Sequence, residues 1–171
     1  MLKTKFVITV TTIILLFGAK TFSQCADSSD ATLKETTDWI ASKINSYGGR
    51  NLPPTTYTVK FDSTLMAVYE FGMNEKYELK DTVAIVKINL RDFDLNKLTT
   101  RFVNKKNTRF ALTFEAQGKK MTYHNPLLGD IDSGYEIIID CEKEKDLPQR
   151  LIKAIKHGYC LSGGSTIKEK F

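Results

Sequence analysis

Apolar and polar positions divide this chain into two helical stretches that bracket a long alternating region. Thr32-Leu33-Lys34-Glu35 carries the S/T-x-x-E pattern of a capping box. Leu33, Thr37, Ile40, Ala41, Ile44 and Tyr47 then recur at the spacing of one helical face, and Gly48–Gly49 close the run. On a wheel of 100° per residue Trp39 lies at about 240° from Leu33, on the polar side. That leaves two readings for Trp39: cover by the preceding segment or a neighbouring loop, or an aromatic anchor for a partner.

The last periodic stretch, Asp146–Gly164, is also helical. Leu147, Leu151, Ile152, Ala154, Ile155, Gly158 and Tyr159 share an arc of roughly 160°, whereas Gln149, Arg150, Lys153, Lys156 and His157 fill the other side. Asp146 is placed to act as N-cap, Pro148 is tolerated in the first turn, and Gly163–Gly164 supply a helix end. Cys160 falls on the polar arc.

Between the helices the period drops to two. Tyr57, Val59 and Phe61 alternate with polar residues, Leu65–Phe71 forms a second run, Tyr77–Leu79 can open a third, and Thr82–Leu90 is nearly all apolar. Arg91–Leu98 reads as a polar turn that tucks in Phe93, Leu95 and Leu98. Shorter strands follow at Thr100–Val103, Arg109–Glu115, Lys120–His124 and Tyr135–Cys141, the last placing Cys141 on the face of Tyr135, Ile137 and Ile139. Strands that follow one another without intervening helices predict an antiparallel sheet and an α+β class. The expectation is an N-terminal helix, a bent antiparallel sheet or partly open barrel of about six or seven strands, and a C-terminal helix capping its open side.

The N-terminus changes the reading of charge and compartment. Lys3 and Lys5 precede a mostly apolar run, Phe6–Ala19, and Thr21-Phe22-Ser23 offers small residues before Gln24. This is the pattern of a secretory signal peptide over residues 1–23, leaving residues 24–171 as a single α+β domain. Cleavage leaves no apolar stretch long enough for a stable membrane span. Lipoprotein processing at Cys25 ranks behind ordinary cleavage, because a lipobox cysteine follows a small residue and Gln24 is not one. The signal removes Lys3, Lys5 and Lys20 from the 25 basic residues and none of the 20 acids. The remaining near balance argues against a nucleic-acid footprint, which needs a concentrated basic stripe.

Exported chains oxidise their cysteines, and three of them permit one internal bridge. Cys141 and Cys160 flank a helix about 20 Å long and lie too far apart. Cys25–Cys160 is the expected pair.

No catalytic, cofactor or metal constellation is legible. His124 and His157 lack HxH, HxxE or CxxC company, so a zinc site of His124, His157 and Cys160 needs fortuitous convergence. Asp130-Ile131-Asp132-Ser133-Gly134 misplaces the glycine of a calcium loop and puts Cys141 where its glutamate belongs. Ser162 or Cys160 with His157 as base lacks an orienting carboxylate, and no nucleophile elbow or phosphate loop is present.

The blocks Thr32–Asn45 and Arg150–Gly164, the strands between them and the TFSQ signal ending resemble small exported proteins of unknown function from Bacteroidetes-type bacteria. The element order is also similar to the pleckstrin-homology-like arrangement. The resemblance implies fold order and compartment and carries over no catalytic residue. Together these features point to a periplasmic or secreted non-catalytic module that binds a protein or cell-surface component. A carrier of a small apolar ligand within the bent sheet ranks second, and a small hydrolase or metal-dependent enzyme third.

Overall fold

The computed structural model describes residues 29–51, 54–73, 79–118, 121–125, 129–130 and 134–164. Residues 1–23, which the sequence pattern reads as a signal peptide, and Cys25 lie outside the described residues. Helix α1 spans Leu33–Tyr47. The strands are β1 (Gly49–Asn51), β2 (Pro54–Asp62), β3 (Leu65–Met73), β4 (Leu79–Asn89), β5 (Thr99–Phe102), β6 (Arg109–Phe114), β7 (Thr122–Asn125), β8 (Gly129–Asp130) and β9 (Tyr135–Asp140). A 3₁₀ turn, Leu90–Asp92, follows β4, and helix α2 covers Leu147–Leu161.

The class is α+β, and the strands form two antiparallel sheets. One runs β1-β2-β3-β4-β7-β8 and the other β5-β6-β9. A single bridge, Gly48 to Ile139, joins them along one side, and a second bridge, Phe93 to Ala116, pins the turn after β4 to the end of β6. Each sheet turns one face inward. Tyr57, Val59, Met66, Val68, Val86 and Ile88 of the larger sheet meet Phe110, Leu112, Phe114, Ile137 and Ile139 of the smaller one in one buried cluster. Phe93 packs between them, its ring 5.3 Å from that of Phe114.

A polar contact crosses this interior. The Tyr135 hydroxyl on β9 donates to Glu70 Oε2 on β3 at 2.5 Å, and both residues are buried. Glu70 shares the inward parity of Met66 and Val68. Burial first, then the Glu70 hydrogen bond and charge, push the Tyr135 hydroxyl far above its ordinary pKa and keep it a donor.

The helices close the opening between the sheets. α1 rests on β2 and β9, α2 on β5 and the 3₁₀ turn, and they pack on each other. On α2 the stripe Leu147, Leu151, Ile155 and Tyr159 is at most 1% exposed. Burying an aliphatic side chain of this size contributes about 1.5–3 kcal/mol. Gly158 is where α2 comes closest: an added Cβ would sit 3.1 Å from Leu90 Cδ1 and 3.6 Å from Thr36 Cγ2.

The helix ends follow their sequence signals unevenly. At α1 the capping box forms, with Thr32 Oγ1 accepting from the Glu35 N–H and Glu35 Oε2 accepting from the Thr32 N–H at 2.8 Å. At the end of α2, Gly163 takes φ +78° while its N–H donates to Cys160 O and that of Gly164 to Tyr159 O, a Schellman closure. Asp146 departs from expectation. Its backbone is already helical and its side chain caps nothing. A capping oxygen serves the N–H of the second or third helical residue, and the second here is Pro148, which has none. Asp146 instead lies 3.8 Å from Arg150.

Candidate functional site

An open cleft of about 520 Å³ lies between α1 and α2, within the size range of ligand sites. Glu35, Thr36 and Trp39 line it from α1, and Arg150, Lys153, Ala154 and His157 from α2. Ser29 and Ala31 complete the rim. Trp39, the chain's one tryptophan, is half-buried.

Two cations lie near the Trp39 ring. Arg150 Cζ lies 5.1 Å from its centroid and Lys43 Nζ 5.8 Å, both within cation–π range. Glu144, in the connection from β9 to α2, ties these cations together. Its carboxylate accepts from Lys43 Nζ at 2.5 Å, the Tyr47 hydroxyl at 3.0 Å and Arg150 at 3.2 Å. The cluster therefore fixes the indole by its neighbours' charges as well as by packing.

The same contacts make a pH prediction. The Lys43 hydrogen bond, then that from Tyr47, hold the Glu144 carboxyl below its ordinary range. Its bond to Glu144 pushes the Tyr47 hydroxyl up, so Tyr47 stays a donor. For a carboxyl whose folded pKa is lowered, the interaction is complete above the unfolded value and is lost as pH falls through the folded one. Trp39 fluorescence is expected to change in acid with a midpoint below the usual glutamate range. Glu144→Gln is expected to remove that step, and a step that persists unchanged in the variant would assign it to another group.

His157 and Cys160 are where the sequence reading of α2 needs correcting. The helical wheel sets both on a solvated arc, yet both are half-buried. His157 Nε2 lies 2.9 Å from Ala31 O. A carbonyl oxygen only accepts, so Nε2 carries the proton in this contact. Cys160 is disulfide-bonded, while Cys141 is a free, buried thiol that packs in the core. The segment before α1 thus lies along this arc, which a wheel drawn for α2 alone does not include. Cys25 lies outside the described residues.

The structure does not bring the two histidines into a metal site. His124 is exposed on β7, His157 is on α2, and among the described residues no group of three or more His, Cys, Asp or Glu could hold a metal. Gly134 begins the approach to β9; residues 131–133 of the failed calcium pattern lie outside the described residues. With its sulfur in a disulfide, Cys160 offers no thiolate to His157. The cleft lies between the helices and is lined by Glu35, Arg150, Lys153 and His157, so it is not the sheet interior in which the carrier reading places an apolar ligand. Among the described residues no helix is long and apolar enough to cross a membrane.

Of the residues singled out from sequence, Trp39 and His157 meet in the cleft. Lys43, Glu144, Arg150 and Lys153 carry no motif, and only the helical stripe Arg150, Lys153, His157 offers a hint of their shared face. No protein-family profile, curated protein or solved structure matches the chain.

Proposed function

We propose that the chain is an exported, non-catalytic module that docks a protein or cell-surface component in the cleft between α1 and α2. Trp39 carries this reading: a half-buried tryptophan in a cleft, with Arg150 and Lys43 both within cation–π range of its ring, is the kind of rigid anchor that dominates binding surfaces. Export rests on the N-terminal signal pattern and agrees with an oxidised Cys160. The absence of a legible nucleophile–base–orienter set in the sequence supports a binding role over a catalytic one.

The test is capture from exported and surface proteins on the immobilised oxidised chain, in parallel with a Trp39→Ala chain. A partner held by the wild type is expected to weaken by about 30-fold or more, in line with a hot-spot loss of about 2 kcal/mol. Trp39→Phe, which keeps an aromatic ring beside both cations, is expected to retain part of the affinity. Matching melting curves exclude a folding defect. Partners retained equally by wild type and Trp39→Ala would contradict the proposal.

A further inference from the structure

Among the residues that line the cleft, cations outnumber acids. Arg150, Lys153 and His157 recur at i, i+3 and i+7, so one stripe of α2 brings two permanent cations and an imidazole to the lining. Across from them stands a single acid, Glu35, whose Oε2 already accepts from the Thr32 N–H at 2.8 Å and the Thr32 hydroxyl at 2.7 Å. The acids nearest Arg150 are Glu144 and Asp146, and neither lines the cleft. Lys153 is exposed and makes no ion pair among the described residues. Ala154, between these cations on the helix, takes up little room.

From this arrangement we infer that the cleft takes an acidic peptide segment, one carboxylate meeting Lys153 while a neighbouring apolar or aromatic side chain lies against Trp39. The inference rests on the cleft being the docking site. Lys153 is the expected specificity residue, because an ammonium without an acid partner gains most from an incoming carboxylate. Arg150 is already engaged by Glu144 and holds the indole, so it helps to position the floor. The charge preference is local. It arises although the chain beyond the signal pattern is close to neutral, and it is therefore not a consequence of net charge.

Because Trp39 is the only tryptophan and lines the cleft, its fluorescence reports occupancy directly. The probes are acetyl-Phe-Asp-Glu-Phe-amide and its neutral isostere acetyl-Phe-Asn-Gln-Phe-amide, titrated into the oxidised full chain at low and high salt. The acidic peptide is expected to change the Trp39 signal saturably and to bind about tenfold tighter than the neutral one, with the difference shrinking as salt screens the charges. Lys153→Met keeps the aliphatic stem on an exposed position, and it is expected to bring the two affinities within about threefold by weakening the acidic peptide. Equal affinities in the wild type would overturn the charge preference and leave the cleft as docking site intact. A preference that survives Lys153→Met would place the carboxylate elsewhere and overturn the assignment. No saturable signal from either peptide would overturn the inference, and the Trp39→Ala capture experiment then decides separately whether the cleft docks a partner.

Discussion

Reduction of the Cys160 disulfide, or its removal by Cys160→Ser, is expected to destabilise the oxidised chain by about 3 kcal/mol, within the 2–5 kcal/mol typical of native bridges. Cys160 is disulfide-bonded and Cys141 is a free thiol. Cys25 is the one cysteine left in the sequence, so we propose Cys25 as the partner. Such a bond closes a loop of well over a hundred residues, and in the chain-entropy account long loops restrict the unfolded state most. It would also fasten the segment before α1 one helical turn beyond the His157 contact with Ala31. Denaturation with and without reductant measures the first effect. Peptide mapping without reduction tests the pairing: a cross-linked peptide holding Cys25 and Cys160 is expected, with alkylation of Cys141 only on unfolding. Burial first, and then the charge of Asp140, push the Cys141 thiol above its ordinary pKa and slow its reaction further. A cross-link through Cys141 would refute the pairing.

Tyr135→Phe is expected to cost about 1–3 kcal/mol, more than an ordinary hydrogen bond contributes, because it leaves Glu70 buried without this donor. The ring contacts to Phe114 at 5.9 Å and Tyr123 at 5.4 Å survive the substitution, so the loss isolates the hydroxyl. Glu70→Gln retains an oxygen that can accept from Tyr135 and is expected to be milder. The double variant Glu70→Met with Tyr135→Phe is expected to recover part of the loss, since removing both partners spares the desolvation of a lone carboxylate. Urea denaturation of the set measures it. Equal stability of wild type and Tyr135→Phe would show that Glu70 is satisfied without the hydroxyl.

Local patterns in this chain are legible where one element alone determines them. The capping box, the α1 face and the glycine closure of α2 each need only neighbours along the chain, and each is present. The alternation of β2, β6 and β9 likewise gives their inward faces, because parity sets side-chain direction, whereas β3 and β4 are apolar on both faces and leave the choice open. Glu70 is not legible either, since the other parity of β3, Leu65, Ala67, Tyr69 and Phe71, is the more uniformly apolar one. Nor is its partner, since Tyr135 arrives from the other sheet. The division into two sheets was also hidden: β4 pairs with β7 and leaves β5 to β6, a choice made by distant registers. β1, only Gly49–Asn51, carries no alternation to read.

The cleft shows the same boundary between local and distant information. A wheel for α1 puts Trp39 on its polar side, and a wheel for α2 gathers Arg150, Lys153 and His157, but neither reveals that the two faces meet. Glu144 joins Lys43 and Arg150 only after β9 has delivered it to the start of α2. The polar arc of α2 therefore has a second role beside its apolar stripe. Leu147, Leu151, Ile155 and Tyr159 close the sheets, while the opposite arc takes the segment before α1 and forms one wall of the cleft.

Hydrogen exchange of the oxidised chain, alone and with its captured partner bound, tests this account most directly. The account predicts slowed exchange over residues 31–39 and 150–157, the two walls that meet at Trp39. Protection confined instead to the β5 edge at Phe102 and Val103, or to the outer face of β3 and β4 at Tyr69, Phe71 and Val83, would contradict it.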